Sequence, residues 1–233
     1  MTASARADGP RLRVGGVSFS FQRTRPDPRP SPSRGAIPVL RTARFPRARA
    51  RGWPRTAFLV HIPDGEALWI GLGDSRAGPT AIRVRFDGLD GITGRPWEAA
   101  LSTDPQNYAV WPHQLWIEGT YRDGRLHARF GLQADPWRML ELSLIPPRSG
   151  RARLVPAGPR ARPLVLHEPG AGGAAVAEAG ALVPDRTGIR WARAPDATVR
   201  VYLASPAVYT EVTGLPPLPE VAERDTYQGW RLP

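Results

Sequence analysis

Apolar and polar residues alternate along much of the chain with the period of two that is typical of β-strands. The clearest case is the segment 115–132, where Asp123-Gly124 separates two runs rich in Trp, Ile, Tyr, Leu and Phe. This dipeptide is favoured in two-residue type I′ turns, so the segment is predicted to form a hairpin. With Arg122 opposite Arg125, the apolar face carries Tyr121/Leu126 and Ile117/Phe130, and the polar face carries Thr120/His127 and Glu118/Arg129. A slip of one residue would bury the charged set, which favours this register.

The same alternation predicts further strands on both sides of the hairpin. They cover residues 11–22, 57–62, 67–72, 80–86, 138–145 and 197–204, with a shorter candidate at 163–168. In the strand 80–86, Arg83 and Arg85 occupy the positions of a solvent-exposed face. Between Val14 and Val17 the apolar positions change parity, and the Gly15-Gly16 pair at that point predicts a bulge.

One helix is clearly indicated. Ser205-Pro206 supplies an N-cap followed by a first-turn proline, and Gly214 supplies a glycine stop, so a helix is predicted over 206–213. Together the patterns predict an all-β fold, mainly antiparallel, built as a sandwich or barrel. It would carry one short C-terminal helix and long Pro/Arg-rich loops.

The predicted organisation is one domain with two extended ends. Residues 1–10 are predicted to be disordered, residues 11–214 to form a single β-rich domain, and residues 215–233 to form an extended tail. Within the domain, residues 23–55 contain seven prolines, which should exclude a central strand or a helix and leave a long loop. A second loop, 146–163, contains five arginines and no acidic residue.

The net charge of +11 is confined to the N-terminal part of the chain. All 32 basic residues are arginine, and residues 1–55 hold 13 of them against Asp8 and Asp27, whereas residues 56–233 hold 19 arginines and 19 acidic residues. Such an arm favours a nucleic-acid, anionic-surface or protein partner. The alternative is a solvated loop in an arginine-biased proteome. Phe45 and Trp53 are the only aromatic residues of segment 23–55, which disfavours base stacking on nucleic acid.

Several kinds of chemistry are excluded or disfavoured. The chain has no cysteine, which excludes disulfides, cysteine-ligated metals and thiol catalysis. It has no apolar run long enough to span a membrane, and residues 1–10 lack a signal-peptide core, so a cytoplasmic protein is predicted. Residues 170–175 spell a dinucleotide fingerprint, but Gly180 interrupts the helix it would need, and no cofactor is predicted. Residues 71–78 miss the nucleophile-elbow spacing by one residue.

The candidate site residues lie in and around the hairpin. His127 beside Glu118 and Arg129 would form a small polar site on the polar face, and Asp104 near His113 is a second possibility for catalysis. A solvated strand face is the simpler interpretation. Tryptophans at 69, 97, 111, 116 and 137 surround the hairpin and, if exposed, would hold a sugar ring or a protein partner. The candidate binding residues are therefore Trp111, His113, Trp116, Glu118, His127 and Arg129.

Six stretches are distinctive in both spelling and order. They are Phe21-Gln22-Arg23-Thr24, Glu66 to Gly71 (EALWIG), Thr93 to Trp97 (TGRPW), Asp104 to Tyr108 (DPQNY), Gln114 to Gly119 (QLWIEG) and Tyr209 to Gly214 (YTEVTG). With these stretches the chain resembles a family of uncharacterised bacterial proteins that has no assigned function. The resemblance implies a single continuous unit and supplies no activity, cofactor or catalytic residue.

Three functions are consistent with these patterns. The preferred one is a non-enzymatic binding or assembly component, built on a β-sandwich and bound to another protein or to a second copy of itself. The first alternative is a hydrolase-like enzyme that uses His127/Glu118 or Asp104/His113. The second is a polyanion or nucleic-acid binder that acts through the arginine-rich arm.

Overall fold

A computed structural model describes residues 5–28, 33–73, 78–148 and 181–219. The strands of these residues are, in chain order, β1 (Ala5–Asp8), β2 (Arg11–Val14), β3 (Val17–Thr24), β4 (Ala36–Ile37), β5 (Leu40–Arg41), β6 (Phe58–His61), β7 (Ala67–Gly73), β8 (Thr80–Phe86), β9 (Leu89–Asp90), β10 (Ala109–Trp111), β11 (Trp116–Ile117), β12 (Gly119–Arg122), β13 (Arg125–Gly131), β14 (Trp137–Ile145) and β15 (Ala197–Ala204). The helices are α1 (Pro46–Ala50), which follows a 3-10 turn at Thr42–Arg44, and α2 (Pro206–Thr213).

The described strands form two sheets. The first has the order β1-β2-β3-β7-β13-β12, with β11 also paired to β7 and β4 to β3. The second has the order β10-β8-β14-β15-β6-β5, with β9 paired to β8. Since the two sheets are separate and do not close on each other in the described part of the chain, the sandwich is the one of the two predicted architectures that forms.

One main core lies between the two sheets and follows the predicted alternation. Phe19, Phe21 and Ile70 of the first sheet are fully buried in it. The inward positions of the second sheet are Leu140, Leu142, Leu144, Val199, Val201 and Leu203, as the sequence predicted. Burying side chains of this size stabilises the fold by about 1.5–3 kcal/mol each, so the alternating rows of the two sheets dominate its stability.

Helix α2 and strands β8 and β15 have the predicted bounds. The hydroxyl oxygen of Ser205 accepts a hydrogen bond from the Val208 N–H, and Gly214 ends the helix in the left-handed conformation with φ 73°. Strand β15 lies between β14, to which it is antiparallel, and β6, to which it is parallel. This parallel pair makes the second sheet mixed, within a fold that is otherwise antiparallel as predicted.

The central hairpin turns where predicted, but its register changes after two pairs. Asp123 and Gly124 have φ of 52° and 74°, and Arg122 pairs with Arg125. A bulge between Thr120 and Tyr121 then places Thr120 opposite Ala128, so the predicted pairing of Thr120 with His127 was wrong. The cause is a change of partner, because Ile117 leaves the hairpin and pairs with Ile70 of β7.

Two predictions for the N-terminal part of the chain were also wrong. Residues 5–8, predicted to be disordered, form edge strand β1, because the turn at Gly9-Pro10 folds them back onto β2. Gly15-Gly16 is a turn between β2 and β3 rather than a bulge within one strand, and both glycines have positive φ. The first prediction failed because the β1–β2 hairpin was interpreted as a disordered end. The second failed because the β2–β3 hairpin was interpreted as one strand.

The loop predicted over residues 23–55 contains regular structure. Strands β4 and β5 add to the two sheets, and α1 begins at Pro46, where a proline at the first helical position lacks an N–H that would be unpaired anyway. The segment is therefore part of the domain. The predictions for 163–168, for the fingerprint at 170–175 and for Ser75 lie outside the described residues, as do most of the second basic loop and residues 220–233.

Residues 181–191 form a strap that ties the two sheets together at one end. Ala181 forms a bridge with Arg125 of the first sheet, and the side chains of Gln106 and Gln114 each donate to a strap carbonyl and accept from a strap N–H. The Asp185 carboxylate accepts from the hydroxyl of Tyr108 at 2.6 Å and from the indole N–H of Trp191 at 3.0 Å. The side chains of Gln106 and Gln114 thus form the hydrogen bonds with the strap backbone that a neighbouring strand would otherwise form.

Candidate functional site

The segment 41–57 is a folded loop whose two ends are held together. The Thr42 N–H donates to the carbonyl of Ala57 at 3.1 Å, and the Thr42 hydroxyl lies within hydrogen-bond distance of the carbonyls of Pro54 and Ala57. Inside the loop, the backbone N–H of Trp53 donates to the carbonyl of Ala48 in α1. These bonds give a segment rich in arginine and proline one defined conformation.

Trp53 anchors this loop on the outer face of the second sheet. Its side chain is only 3% exposed and stacks on Tyr202 of β15, with ring centroids 4.4 Å apart and an interplanar angle of 10°. Trp137 meets the rings of Trp53 and Tyr202 edge-on, each at 5.7 Å, and is itself 36% exposed. A buried aromatic ring of this size contributes strongly to packing, so the loop is fixed rather than loosely attached.

The loop carries six arginines and no acidic residue, and three of the arginines interact within the protein. Arg47 donates to the backbone carbonyl of Glu211 at 2.9 Å, and Arg51 forms an ion pair with the Glu211 carboxylate. Arg41 lies over the ring of Phe58, 5.8 Å from its centroid. One carboxylate on α2 therefore supplies the acidic partner for this part of the loop.

The other three arginines of the loop line a cleft. Arg44, Arg49 and Arg55 are solvent-exposed, and their side chains form no hydrogen bond or ion pair with another described residue. The cleft has a volume of about 250 Å³, and its full lining is Thr42, Ala43, Arg44, Phe45, Pro46, Arg49, Trp53 and Arg55. We call it the arginine cleft. Its wall combines three positive charges with the apolar surfaces of Phe45, Pro46 and Trp53.

The chemistry of the arginine cleft is that of anion recognition. A guanidinium group stays charged at all physiological pH values and presents a planar set of N–H donors that matches a carboxylate or a phosphate. The volume is below the 300–1,000 Å³ that is usual for sites of drug-sized ligands and cofactors. A side chain or a small anionic group is therefore the ligand that it fits.

Two residues of the polar face predicted on the hairpin are buried and paired with each other. Glu118 and Arg129 are 5% and 6% exposed and form a salt bridge at 3.3 Å. Arg129 also donates to the carbonyl of Asp27 at 3.0 Å, and the Glu118 N–H donates to the hydroxyl of Tyr121 at 3.0 Å. Burial raises the pKa of Tyr121. These groups join the loop after β3 to the hairpin, so their arrangement is that of a structural pair.

The remaining predicted site residues are not brought together with this pair. His127 is exposed, and its side chain forms no hydrogen bond or ion pair with a described residue. Trp111, His113 and Trp116 are half-buried on β10, the following turn and β11. No hydrogen bond joins Asp104 to His113 among these described residues. Of the tryptophans around the hairpin, Trp69, Trp97, Trp111 and Trp116 are half-buried, and Trp137 is exposed beside Trp53.

Arg83, predicted on a solvent-exposed face, is almost fully buried, at 1% exposure. Its Nη2 donates to the Asp90 carboxylate at 2.9 Å and to the Glu98 carbonyl at 2.7 Å. Its Nη1 donates to the carbonyls of Ala99 and Ala100, and the ring of Trp97 covers the guanidinium at 4.0 Å. The stretch TGRPW therefore belongs to a loop that folds around one arginine.

The sequence indicated a basic arm but not which arginines form a site. Unlike Arg44, Arg49 and Arg55, the side chains of Arg47 and Arg51 contact Glu211, which is about 160 residues further along the chain. The available signal was local: residues 41–57 contain six arginines, two aromatic residues and no acid. No group of three His, Asp or Glu side chains in the described ranges is placed to hold a metal ion.

Comparison with protein-family models, with curated proteins and with solved structures found no match for this chain. The resemblance to an uncharacterised bacterial family therefore stays a prediction. Neither helix of the part of the chain that the structure describes has the length and apolar character to cross a membrane.

Proposed function

We propose that this protein is a binding or assembly component that holds another protein through the arginine cleft. The observation that carries the proposal is the set of exposed arginines, Arg44, Arg49 and Arg55, which line one cleft without an acidic partner among the described residues. The other cationic groups of the same loop are engaged by α2 or by Phe58. The three remaining charges are available to a partner.

The rigidity of the platform supports a binding role. A mobile basic loop would lose conformational entropy on binding, whereas this loop is already fixed by Trp53, by Thr42 and by the contacts of Arg47 and Arg51. Groups that are held in their bound geometry before the partner arrives bind with a smaller entropic cost. The cleft therefore presents its arginines at a defined place on the outer face of the second sheet.

The aromatic residues favour a protein partner over nucleic acid. Single-stranded nucleic acids bind through bases that stack on exposed aromatic faces, and Trp53 has its face covered by Tyr202. By contrast, arginine and tryptophan are the residue types enriched at the energetically important centres of protein interfaces. Trp137, 36% exposed and in contact with Trp53, extends the surface with an apolar group.

Site-specific photo-crosslinking tests the proposal. Ala43 lines the cleft and is exposed, so a photoreactive amino acid in its place should crosslink to one discrete protein, or to a second copy of this chain, in the native host. The matched control is the same amino acid at Arg122, an exposed position on the hairpin. Crosslinks of equal yield and pattern at both positions, or none at position 43, would contradict a role of the cleft in binding.

A further inference from the structure

We propose that the ligand of the arginine cleft is an acidic segment of a partner protein, in which carboxylate side chains stand next to an apolar one. This inference rests on the proposed function and adds the chemistry of the partner. Charge complementarity is its first basis, because Arg44, Arg49 and Arg55 face the cleft and its lining contains no acidic residue. Carboxylates are the protein groups that guanidinium donors bind in pairs.

The apolar part of the wall is the second basis. Phe45, Pro46 and Trp53 line the cleft between the arginines, so a ligand that enters it meets both charge and hydrocarbon. The methylene groups of an aspartate or glutamate side chain fit such a wall, while its carboxylate meets the guanidinium groups. Trp53 also keeps a buried indole N–H that has no acceptor among the described residues. A carboxylate that enters beside Trp53 would supply that acceptor.

The size of the surface is the third basis and separates a peptide from a nucleic acid. A cleft of about 250 Å³ takes one or two side chains. Nucleic acid binding needs a basic track that follows the phosphate backbone over several nucleotides, together with open aromatic faces. Here three arginines lie in a single loop, and among the described aromatic residues only Trp137, in edge contact with Trp53, is exposed. Trp137 is placed to contact the apolar residue of the acidic segment.

The test is a titration of the full chain with defined probes, followed by fluorescence anisotropy. The first probe is a labelled peptide of sequence Glu-Asp-Leu-Glu-Asp-Phe, and its matched control is the amide form Gln-Asn-Leu-Gln-Asn-Phe. The third is a labelled single-stranded oligonucleotide. We expect the acidic peptide to bind at least about tenfold more tightly than the amide form, and more tightly than the oligonucleotide, because paired charged hydrogen bonds are the stronger ones.

Two triple variants with the same change in net charge locate the binding. Arg44→Gln/Arg49→Gln/Arg55→Gln should weaken binding of the acidic peptide at least about tenfold, since it removes the paired donors. The control, Arg11→Gln/Arg13→Gln/Arg122→Gln, changes three exposed arginines of the first sheet and should weaken binding less than about threefold through the long-range field alone. All six positions are exposed, so circular dichroism and thermal denaturation should show both variants folded.

Each contrary outcome overturns the inference in a recognisable way. An equal loss of affinity in the two triple variants would show attraction to net charge and no site. Tighter binding of the oligonucleotide, lost in the Arg44/Arg49/Arg55 variant, would identify a polyanion binder. If position 43 crosslinks to a discrete protein but the acidic peptide does not bind, the cleft binds a partner of different chemistry. In that case the proposed function stands and the acidic ligand is wrong.

Discussion

The guanidinium of Arg83 shows how one buried charge determines the path of a loop. It meets the Asp90 carboxylate, three consecutive backbone carbonyls at 98–100 and the face of Trp97. A buried charge is stabilised by pairing its donors, and here both terminal nitrogens are paired, whereas Nε has no acceptor among the described residues. Strands β8 and β9 together with the following loop are therefore held as one unit.

Replacement of Arg83 by Met should be strongly destabilising. The change leaves the buried carboxylate of Asp90 without its cation, and losses of about 3–5 kcal/mol are typical for a buried pair that is broken on one side. Arg83→Lys should recover little of this, because an ammonium group cannot reproduce the planar fork. Urea denaturation measures both. Arg85→Met, on the same strand and at a half-buried position, is the matched control; a lysine variant as stable as the wild type would contradict the account.

His61 should make stability depend on pH. Burial lowers its pKa from 6.5 to about 4, helped by the nearby positive charge of Arg23, while Asp64 and Glu66 oppose the shift. Its Nδ1 accepts a hydrogen bond from the Leu218 N–H, which requires that nitrogen to be unprotonated. The folded state thus favours the neutral ring more than the unfolded state does. The stability that the neutral His61 ring contributes is fully present above pH 6.5 and is lost as the pH falls towards 4.

The free energy of unfolding should fall by about 2–3 kcal/mol over this pH range, since a shift of one pKa unit corresponds to about 1.4 kcal/mol. His61→Gln should remove this part of the pH dependence, and His127→Gln, at an exposed position, should keep it. Urea denaturation midpoints collected between pH 7.5 and pH 4 give the comparison. Parallel pH profiles for the wild type and His61→Gln would show that another group is responsible.

At the scale of elements, Gly119 is the residue on which the hairpin depends. It is the first residue of β12, where the chain leaves β11 beside β7 and begins to pair with β13, and it has φ 154°. A Cβ atom at this position would stand 1.9 Å from the backbone oxygen of Ala128. Backbone on both sides must therefore move to admit any side chain.

Gly119→Ala should unfold the hairpin or lower the free energy of unfolding by well over about 3 kcal/mol. Gly124→Ala should lower it by only about 1–2 kcal/mol, because this turn glycine has φ 74° but open space around it. For a domain of 150–250 residues, 1 kcal/mol shifts the melting temperature by about 2–4 °C. Thermal denaturation should therefore separate the two variants clearly. Equal melting temperatures would mean that the bulge relaxes without strain.

The elements that the sequence predicted are those whose signals are local. The turn of the hairpin follows from the backbone preferences of Asp123-Gly124, and the ends of α2 follow from Ser205 and Gly214. The alternation of apolar and polar residues at 197–204 identifies a strand. The change of partner at Gly119 could not be predicted, because it depends on β7, about 45 residues away. Arg83 appeared exposed because an arginine on an alternating strand usually is, and the covering Trp97 comes from another segment.

The site was predictable only as a tendency. A count of arginines located the basic arm, but the cleft exists because Glu211 engages Arg47 and Arg51 and because Trp53 finds Tyr202. Both contacts join the N-terminal and C-terminal parts of the chain. The sequence placed Glu118 opposite Arg129 on an exposed polar face; in the structure Gly119 is opposite Arg129, and the side chains of Glu118 and Arg129 form a buried salt bridge.

At the scale of the whole molecule, the strap 181–191 should control how firmly one end of the sandwich is closed. Asp185 accepts from Tyr108, Trp191 and twice from Thr187, and although burial acts in the opposite direction, these hydrogen bonds hold its pKa below the usual value. The carboxylate is thus the point at which strap and second sheet are joined.

Asp185→Ala should cost about 2 kcal/mol or more, because the donors on Tyr108 and Trp191 lose their acceptor in a partly buried place. Amide hydrogen exchange should become faster at residues 182–191 while remaining slow in β14 and β15. Arg186→Ala, an exposed change in the same strap, is the control and should leave the exchange pattern as it is. Uniformly faster exchange throughout both sheets would contradict a local role.

The position of β15 in the second sheet determines when this protein can fold. β15 lies between β14 and β6, so residues near 58–61 wait for partners that are about 140 residues further along the chain. During synthesis, β6 and β14 each expose an unpaired edge until the ribosome has released residues 197–204, and such edges promote association between unfinished chains. The second sheet is therefore completed only after residues 197–204 have been synthesised, and its assembly from distant segments should be slow.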